Sequence, residues 1–349
     1  MLTDEVTAIR RSVAVSNCPH VAAVRIRGAG AFDALDSICP RELYIQEGQA
    51  LQTLLLDGDG RAVADVYVLA GADDFLVLGE AGVGSIMEYL RDRIGQKAGV
   101  ELDDLSSSHR VMSLNGPYAW EFLTELITPE IIGLPYLGFF QPEGLTCLRA
   151  GKAGEYGYDL LVPNEGAGDL WTQIQECGES FDLGVASLEA LDACALENWF
   201  FNVRREGRAD VTPIEMQLQW RVSYRRDYPG AAALLARRKA GAKRRAVLVS
   251  SELALDVGAQ IVWDDRLVGE LIASGPSPSL GASLGIALLD APFAHAGLSA
   301  FAATRGESRV PLRTLSAPPI NNRSLYVDPQ RHNYRTRETD IFPPVGKFI

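Results

Sequence analysis

Apolar positions along this chain fall into two alternating patterns, period-two runs and helical spacing. Residues 4–14 predict a short helix leading into a strand, and VAAVRIRGAGAFDAL (21–35) predicts a strand, a glycine turn and a helix start. LLLDGDGRAVADVYVL (54–69) predicts a β-hairpin, because Asp57-Gly58-Asp59-Gly60 is a strong turn signal between two apolar runs. DDFLVLGEAG (73–82) reads as a further strand ending near Glu80, SIMEYLRDRI (85–94) as a helix, and residues 100–117 as two strands around a polar turn. AWEFLTELI (119–127) closes this stretch as an amphipathic helix.

The second stretch repeats the mixture. LTCLRA (145–150) and YDLLVP (158–163) read as strands on either side of a loop marked by glycines 151, 154 and 157. Helices are predicted over 166–178 and 187–200, and VTPIEMQLQWRVSY (211–224) is expected to turn at Pro213 and run into an apolar strand. The basic, Gly-interrupted LARRKAGAKRR (235–245) marks a boundary. Beyond it come short strands (AVLVS, AQIVWDD, RLVGELIAS, GIALLD, LSAFAATR), a spacing that suggests a small β-barrel or sandwich. The expected organisation is α+β, with a two-lobed unit over 1–235, a β-barrel over 246–316 and a tail over 317–349. That tail, rich in Pro and Arg, is expected to wrap, to cross to a neighbour or to be partly disordered.

Composition narrows the function classes. No window approaches a membrane-spanning length of apolar residues, and the first residues lack a basic start followed by an apolar core. A cytoplasmic protein without a membrane partner is the expectation. The five cysteines form no CxxC pair and the four histidines are scattered, so neither a disulfide framework nor a metal site is expected. A net charge of −12 disfavours nucleic acid. The charge is uneven: from Arg204 to Arg245 there are twelve basic residues against four acidic ones, which suggests either an anionic ligand or a solvated face. The GxG at Gly28 and Gly30 lacks the third glycine of a dinucleotide site.

Three carboxylates interrupt apolar patterns. Asp65 shares a strand face with Val63, Tyr67 and Leu69, so it either reaches solvent at an edge or sits in a lined cavity with a partner. Burial in an apolar wall penalises the charged form of such a group. Asp159 lies inside YDLLVP just after the glycine-rich loop, and Glu197 flanks the apolar side of the 187–200 helix.

The order of these pieces resembles the aminomethyltransferase (T-protein) family of the glycine cleavage system and its tetrahydrofolate-dependent relatives. The resemblance covers about residues 10–315 and is carried by LDGDGRAVADVYVL, LNGPYAWEFL (114–123), GKAGEYGYDLLVP (151–163), LDACALENWFFNVRREGRADVTPIEMQLQW (191–220) and GELIASGPSPSLGASLGIALLD (269–290). It implies a three-lobed ring that binds tetrahydrofolate at its centre, with a C-terminal β-barrel. It also implies transfer of an aminomethyl, methylene or methyl-derived carbon from a small donor, with a lipoyl-type carrier protein as a possible partner. The alternatives are a folate-dependent O-, N- or S-demethylase, or a folate-binding protein without catalysis.

Carried over residue by residue, the resemblance implies Asp65 as the catalytic residue and cofactor contacts at Asp159, Glu197, Glu80, Tyr67, Leu78 and Trp220. It leaves Arg204, Arg205, Arg208 and Trp199 for the donor or an anion, with Phe200 and Phe201 as further aromatics. The chain departs from the family pattern at Leu191 and Ala195, where arginines are usual, at Lys152 in place of a Tyr, at Glu80 in place of an Asn, and at Leu69 in place of an aromatic. The Cys of the iron–sulfur-linked branch is missing from GDGRAVADV. These changes favour a donor other than the lipoyl-bound aminomethyl group.

Overall fold

A computed structural model describes residues 1–207 and 211–342 of the 349-residue chain. Two mixed lobes and a closed barrel make up the fold. The first lobe is an antiparallel sheet in the order Ala50–Leu56, Ala62–Ala70, Asp74–Ala81, Ala22–Arg27, Glu101–Asp104. The period-two rule sorts its side chains: Val66 and Val68 pack outward under the helices Ala31–Asp36 and Ile86–Ile94, while Tyr67 and Leu69 face the second lobe. The 54–69 hairpin forms where the turn residues require it, with Gly60 at φ 80°.

The second lobe is a six-stranded sheet in the order Gly184–Val185, Ala14–Asn17, His109–Asn115, Gly157–Pro163, Thr146–Leu148, Phe139–Phe140. Tyr158, Leu160 and Val162 pack outward beneath the helices Ala119–Leu126 and Asn164–Gly178. Leu161, one register step away, joins Tyr67, Leu69, Leu76, Leu78 and Leu148 in one apolar cluster between the two sheets. The inner faces of both sheets therefore look at each other, which decides where their carboxylates point.

The barrel closes in the order Arg244–Ser251, Ala282–Asp290, Arg266–Ser277, Gln260–Trp263, Phe301–Arg305, Ser308–Leu315. Its last strand was not among the expected ones; Pro311 interrupts the run, but Val310 and Leu312 still fill the barrel interior. Its outer face packs Leu248, Leu284 and Ile286 against Leu196 of the helix Leu188–Glu197, and against Met216.

One expectation is corrected and another is narrowed to one of its alternatives. Residues 214–224 form no strand: Gln217 takes φ 60°, a short 3-10 turn follows at Gln219–Arg221, and Arg221 turns inward. The tail lies along its own second lobe as far as residue 342. Asn322 and Ser324 donate hydrogen bonds to the buried Glu155 (2.9 and 2.5 Å), the Tyr334 N–H donates to Glu121 (2.6 Å), and the Tyr334 ring packs on Tyr118 and Phe181. Residues 343–349 fall outside the described residues.

Candidate active site

Asp65 is on an interior strand of the first sheet and is 4% exposed, so the wet-edge alternative is excluded. It does not sit in an apolar wall, however. Arg221 donates from both terminal nitrogens, Nη2 to Oδ1 at 2.5 Å and Nη1 to Oδ2 at 3.1 Å, and the Gln52 amide lies 3.3 Å from each oxygen. This bidentate fork is the geometry in which a guanidinium neutralises a carboxylate most fully. Its cost is an interior cation, whose Nε is buried without a hydrogen-bond partner among the described residues.

Glu80 is the register partner of Asp65 on the neighbouring strand and points to the same face. It accepts from Arg204 Nε at 2.9 Å and pairs with His20 Nε2 at 3.2 Å. Burial pushes its pKa up, but the His20 hydrogen bond and the charges of Lys152 and Arg204 outweigh that and hold it at about 2. Between the two strands Gly79 is required by space, since a Cβ there would stand 2.7 Å from the Asp65 carbonyl oxygen and 2.4 Å from Val66.

Asp159 faces the same interlayer space from the opposite sheet, beside Leu161 of the shared cluster. It is 3% exposed and accepts from the Ser113 hydroxyl at 2.6 Å through Oδ1. Oδ2 takes no hydrogen bond among the described residues and is not sealed off. Burial pushes the carboxyl up to about 6, against the pull of Ser113 and Lys152, with Glu80 adding to the rise. Between the carboxylates stands Tyr67, fully buried, its hydroxyl donating to the Gly151 carbonyl at 3.1 Å and its ionisation pushed well above the usual range by that burial. Leu78, its register partner, is apolar wall.

Lys152 reaches into this group from the glycine-rich loop. Its Nζ stands 4.3 Å from the Tyr67 ring centroid and 3.5 Å from the Asp65 carbonyl oxygen. Its charge acts on both Glu80 and Asp159. Lys152 and Arg221 were not among the expected site residues. Lys152 was visible only as a departure from the family pattern, and Arg221 stood in a stretch read as a strand.

The other expected residues lie elsewhere or are already engaged. Glu197 is a correction. It is fully buried away from this group, with one oxygen accepting from the Ser277 hydroxyl (2.6 Å) and the Ser279 N–H (3.0 Å), the other from Arg10 (2.9 Å) and the Ser279 hydroxyl (2.7 Å). It clamps its helix to the first helix and the barrel, and has no capacity left for a ligand. Arg204 is saturated by Glu80 and Asp192, and Arg205 donates to the Ser274 carbonyl of the barrel. Trp199, at φ 54°, packs in the cluster that joins the helix to the barrel rather than lining a donor pocket. Trp220 is 64% exposed and stands beside Arg221, with the guanidinium 5.8 Å from its ring centroid. Arg208 lies outside the described residues.

No helix among the described residues is long and apolar enough to cross a membrane. Residues 1–226 match the family profile described as the GCVT N-terminal domain, and residues 243–320 match the glycine cleavage T-protein C-terminal barrel domain. Similar proteins include an aminomethyltransferase of Thermoanaerobacter sp. (26% identical, covering 85% of this chain and 83% of that one) and one of Mycobacterium bovis (28% identical, 82% and 80%). The solved structure of the glycine cleavage system aminomethyltransferase T of Bartonella henselae shares the fold, with a TM-score of 0.82 over 91% of this chain and 89% of that one at 21% identity. With both profile matches in chain order and the three-lobed fold in place, the chain belongs to the glycine cleavage T-protein family of aminomethyltransferases.

Proposed function

We propose that this protein is a one-carbon transferase that moves an aminomethyl, methylene or methyl-derived carbon from a small donor to tetrahydrofolate. What supports this reading most is the pairing of two carboxylates from facing sheets, one saturated and one open. Asp65 is locked by Arg221, while Asp159 keeps one oxygen free beside Tyr67. That donor set fits a reduced pterin, whose ring N–H and exocyclic amine are parallel donors to a single carboxylate. Bound tetrahydrofolate supplies the nucleophilic nitrogen that takes up the carbon.

The chain's own residues supply the rest. Asp159 would hold the pterin through its free oxygen, with Ser113 fixing the other. Tyr67 and Leu78 form the wall. Asp65 would present the negative end of an ion pair, fixed in one orientation by Arg221, to the positive charge that develops on the carbon in transit. Preorganised charge of this kind costs no reorientation during the reaction.

The test is tetrahydrofolate binding and turnover measured separately. Asp159→Asn is expected to weaken binding by about 10- to 100-fold, the loss of one charge-assisted hydrogen-bond pair. Asp65→Asn is expected to keep binding and lose turnover. A wild-type protein that does not bind tetrahydrofolate would overturn the assignment. The product separates the finer readings: 5,10-methylene-tetrahydrofolate points to an aminomethyl donor such as that of a lipoyl-type carrier, and 5-methyl-tetrahydrofolate to demethylation. Tight binding without turnover across donors would make the protein a folate binder only.

A further inference from the structure

The loop at 151–157 has glycines at both ends and one in the middle, with Gly154 at φ 70°, a composition that leaves a backbone free to adopt many shapes. Yet both of its ends abut the site. At the first, the Gly151 carbonyl accepts from the Tyr67 hydroxyl (3.1 Å) and Lys152 lies over the Tyr67 ring. At the second, Gly157 is the register partner of Asn115, and a Cβ there would stand 2.6 Å from the Asn115 side-chain oxygen. The Asn115 amide donates to the Ser113 hydroxyl (3.0 Å), which in turn fixes Asp159 (2.6 Å). A shift of this loop would therefore disturb the wall at Tyr67 and the support of Asp159 together.

Glu155 anchors the loop. Its side chain is fully buried and both oxygens are taken, Oε1 by Arg10 Nη1 (2.9 Å) and the Asn198 amide (2.7 Å), Oε2 by the Asn322 amide (2.9 Å) and the Ser324 hydroxyl (2.5 Å). Arg10 also pairs with Glu197, so one guanidinium serves two buried carboxylates and neutral donors complete the set. Among the described residues, Oε2 takes its hydrogen bonds from the tail. A carboxylate oxygen stripped of its donors in the interior is strongly unfavourable, so Glu155 would turn toward water and take the loop with it. Asn322 and Ser324 lie beyond residue 320, where the barrel-domain match ends. We propose that Asn322 and Ser324 are positioning residues of the site: by docking on Glu155, the tail holds the glycine-rich loop in the arrangement that binds tetrahydrofolate, and tail docking is thereby coupled to ligand binding. The inference rests on the folate-dependent reading above. Such coupling is reciprocal, so the ligand favours the docked tail by the same factor by which the docked tail favours the ligand.

The experiment uses the full chain and tetrahydrofolate, with affinity followed by fluorescence. Asn322→Ala/Ser324→Ala is expected to bind at least about tenfold more weakly than wild type. Tyr334→Ala removes the tail's other anchor, the ring packed on Tyr118 and Phe181, and serves as the control for stability alone. It is expected to lower the urea midpoint by at least as much and to leave the affinity within about twofold. In the wild type, saturating tetrahydrofolate is expected to slow hydrogen exchange of the Ser324 and Leu325 amides, both bonded to Asn322, by about tenfold. That measurement needs no variant and decides the matter if the double variant fails to fold. Wild-type affinity in the double variant, an equal loss of affinity in Tyr334→Ala, or exchange at 324–325 that the ligand does not slow would overturn the coupling and leave the folate-dependent reading in place. Failure of the wild type to bind tetrahydrofolate would overturn that reading and this inference with it.

Discussion

Asp65 and Glu80 face each other directly across two neighbouring antiparallel strands, on the same buried face. Like charges in that position repel, and the burial of both side chains weakens solvent screening. Each carries its own arginine from a different part of the chain, Arg221 from the turn at 219–221 and Arg204 from the helix Val203–Glu206. The two segments that deliver these cations thus tie the first lobe to the connection that leads into the barrel.

Removing one member of such a pair is expected to cost far more than removing both. Arg221→Met leaves the Asp65 carboxylate buried and unmatched, and should lower stability by about 3–5 kcal/mol in urea denaturation. The double variant Arg221→Met/Asp65→Leu should recover much of that loss. A simple sum of the two single effects would show that the fork contributes no coupling.

Asp159 gives the site a pH dependence. Its folded pKa is about 6, raised by burial, and the protonated form presents an O–H donor where a ligand's donors need an acceptor. Tetrahydrofolate affinity should therefore fall as pH drops through about 6 and level off above it. Asp159→Asn should bind more weakly with a flat profile between pH 5 and 8. A wild-type profile as flat as the variant's would remove Asp159 from binding.

Glu206 makes a separate prediction about stability. It is buried beneath the helix Val203–Glu206, and burial pushes it up to about 8, only partly offset by the hydrogen bond it accepts from the Asn202 N–H. A carboxyl raised above its unfolded value of 4.5 binds more protons folded than unfolded between those two values, so stability should decline as pH rises from about 4.5 to about 8. Glu206→Gln should be nearly neutral at pH 5 and stabilising at pH 9. Comparison of urea midpoints at the two pH values checks this, and no gain at pH 9 would count against it.

Glu197 should behave as a structural clamp. Glu197→Ala strands the Ser277 and Ser279 donors and removes one partner of Arg10, and is expected to cost at least roughly 1–3 kcal/mol. At a temperature where the variant is still folded, its tetrahydrofolate affinity should stay within about twofold of wild type. A large loss of affinity with stability intact would return Glu197 to the binding site.

Much of the local structure was legible from residue order alone. The Asp57–Gly60 turn forces the hairpin, period-two runs such as YDLLVP become strands, and helical spacing at Ile86, Leu90 and Ile94 becomes a helix, because these follow from local backbone and side-chain geometry. The period-two rule placed Asp65 on one face with Tyr67 and Leu69 but left a solvent edge open, and it was the family motifs that implied a shared ligand site for Asp65 and Asp159. Charge pairing could not be read that way. Whether Asp65 is matched by Arg221, whether Glu197 turns to the barrel, and whether Lys152 reaches across to Tyr67 depend on contacts between residues separated by as many as 156 positions. Sequence pattern specifies the face on which a side chain emerges; only the packing of one lobe on another specifies what it meets there. For this protein that second step decides which carboxylate is locked and which is open.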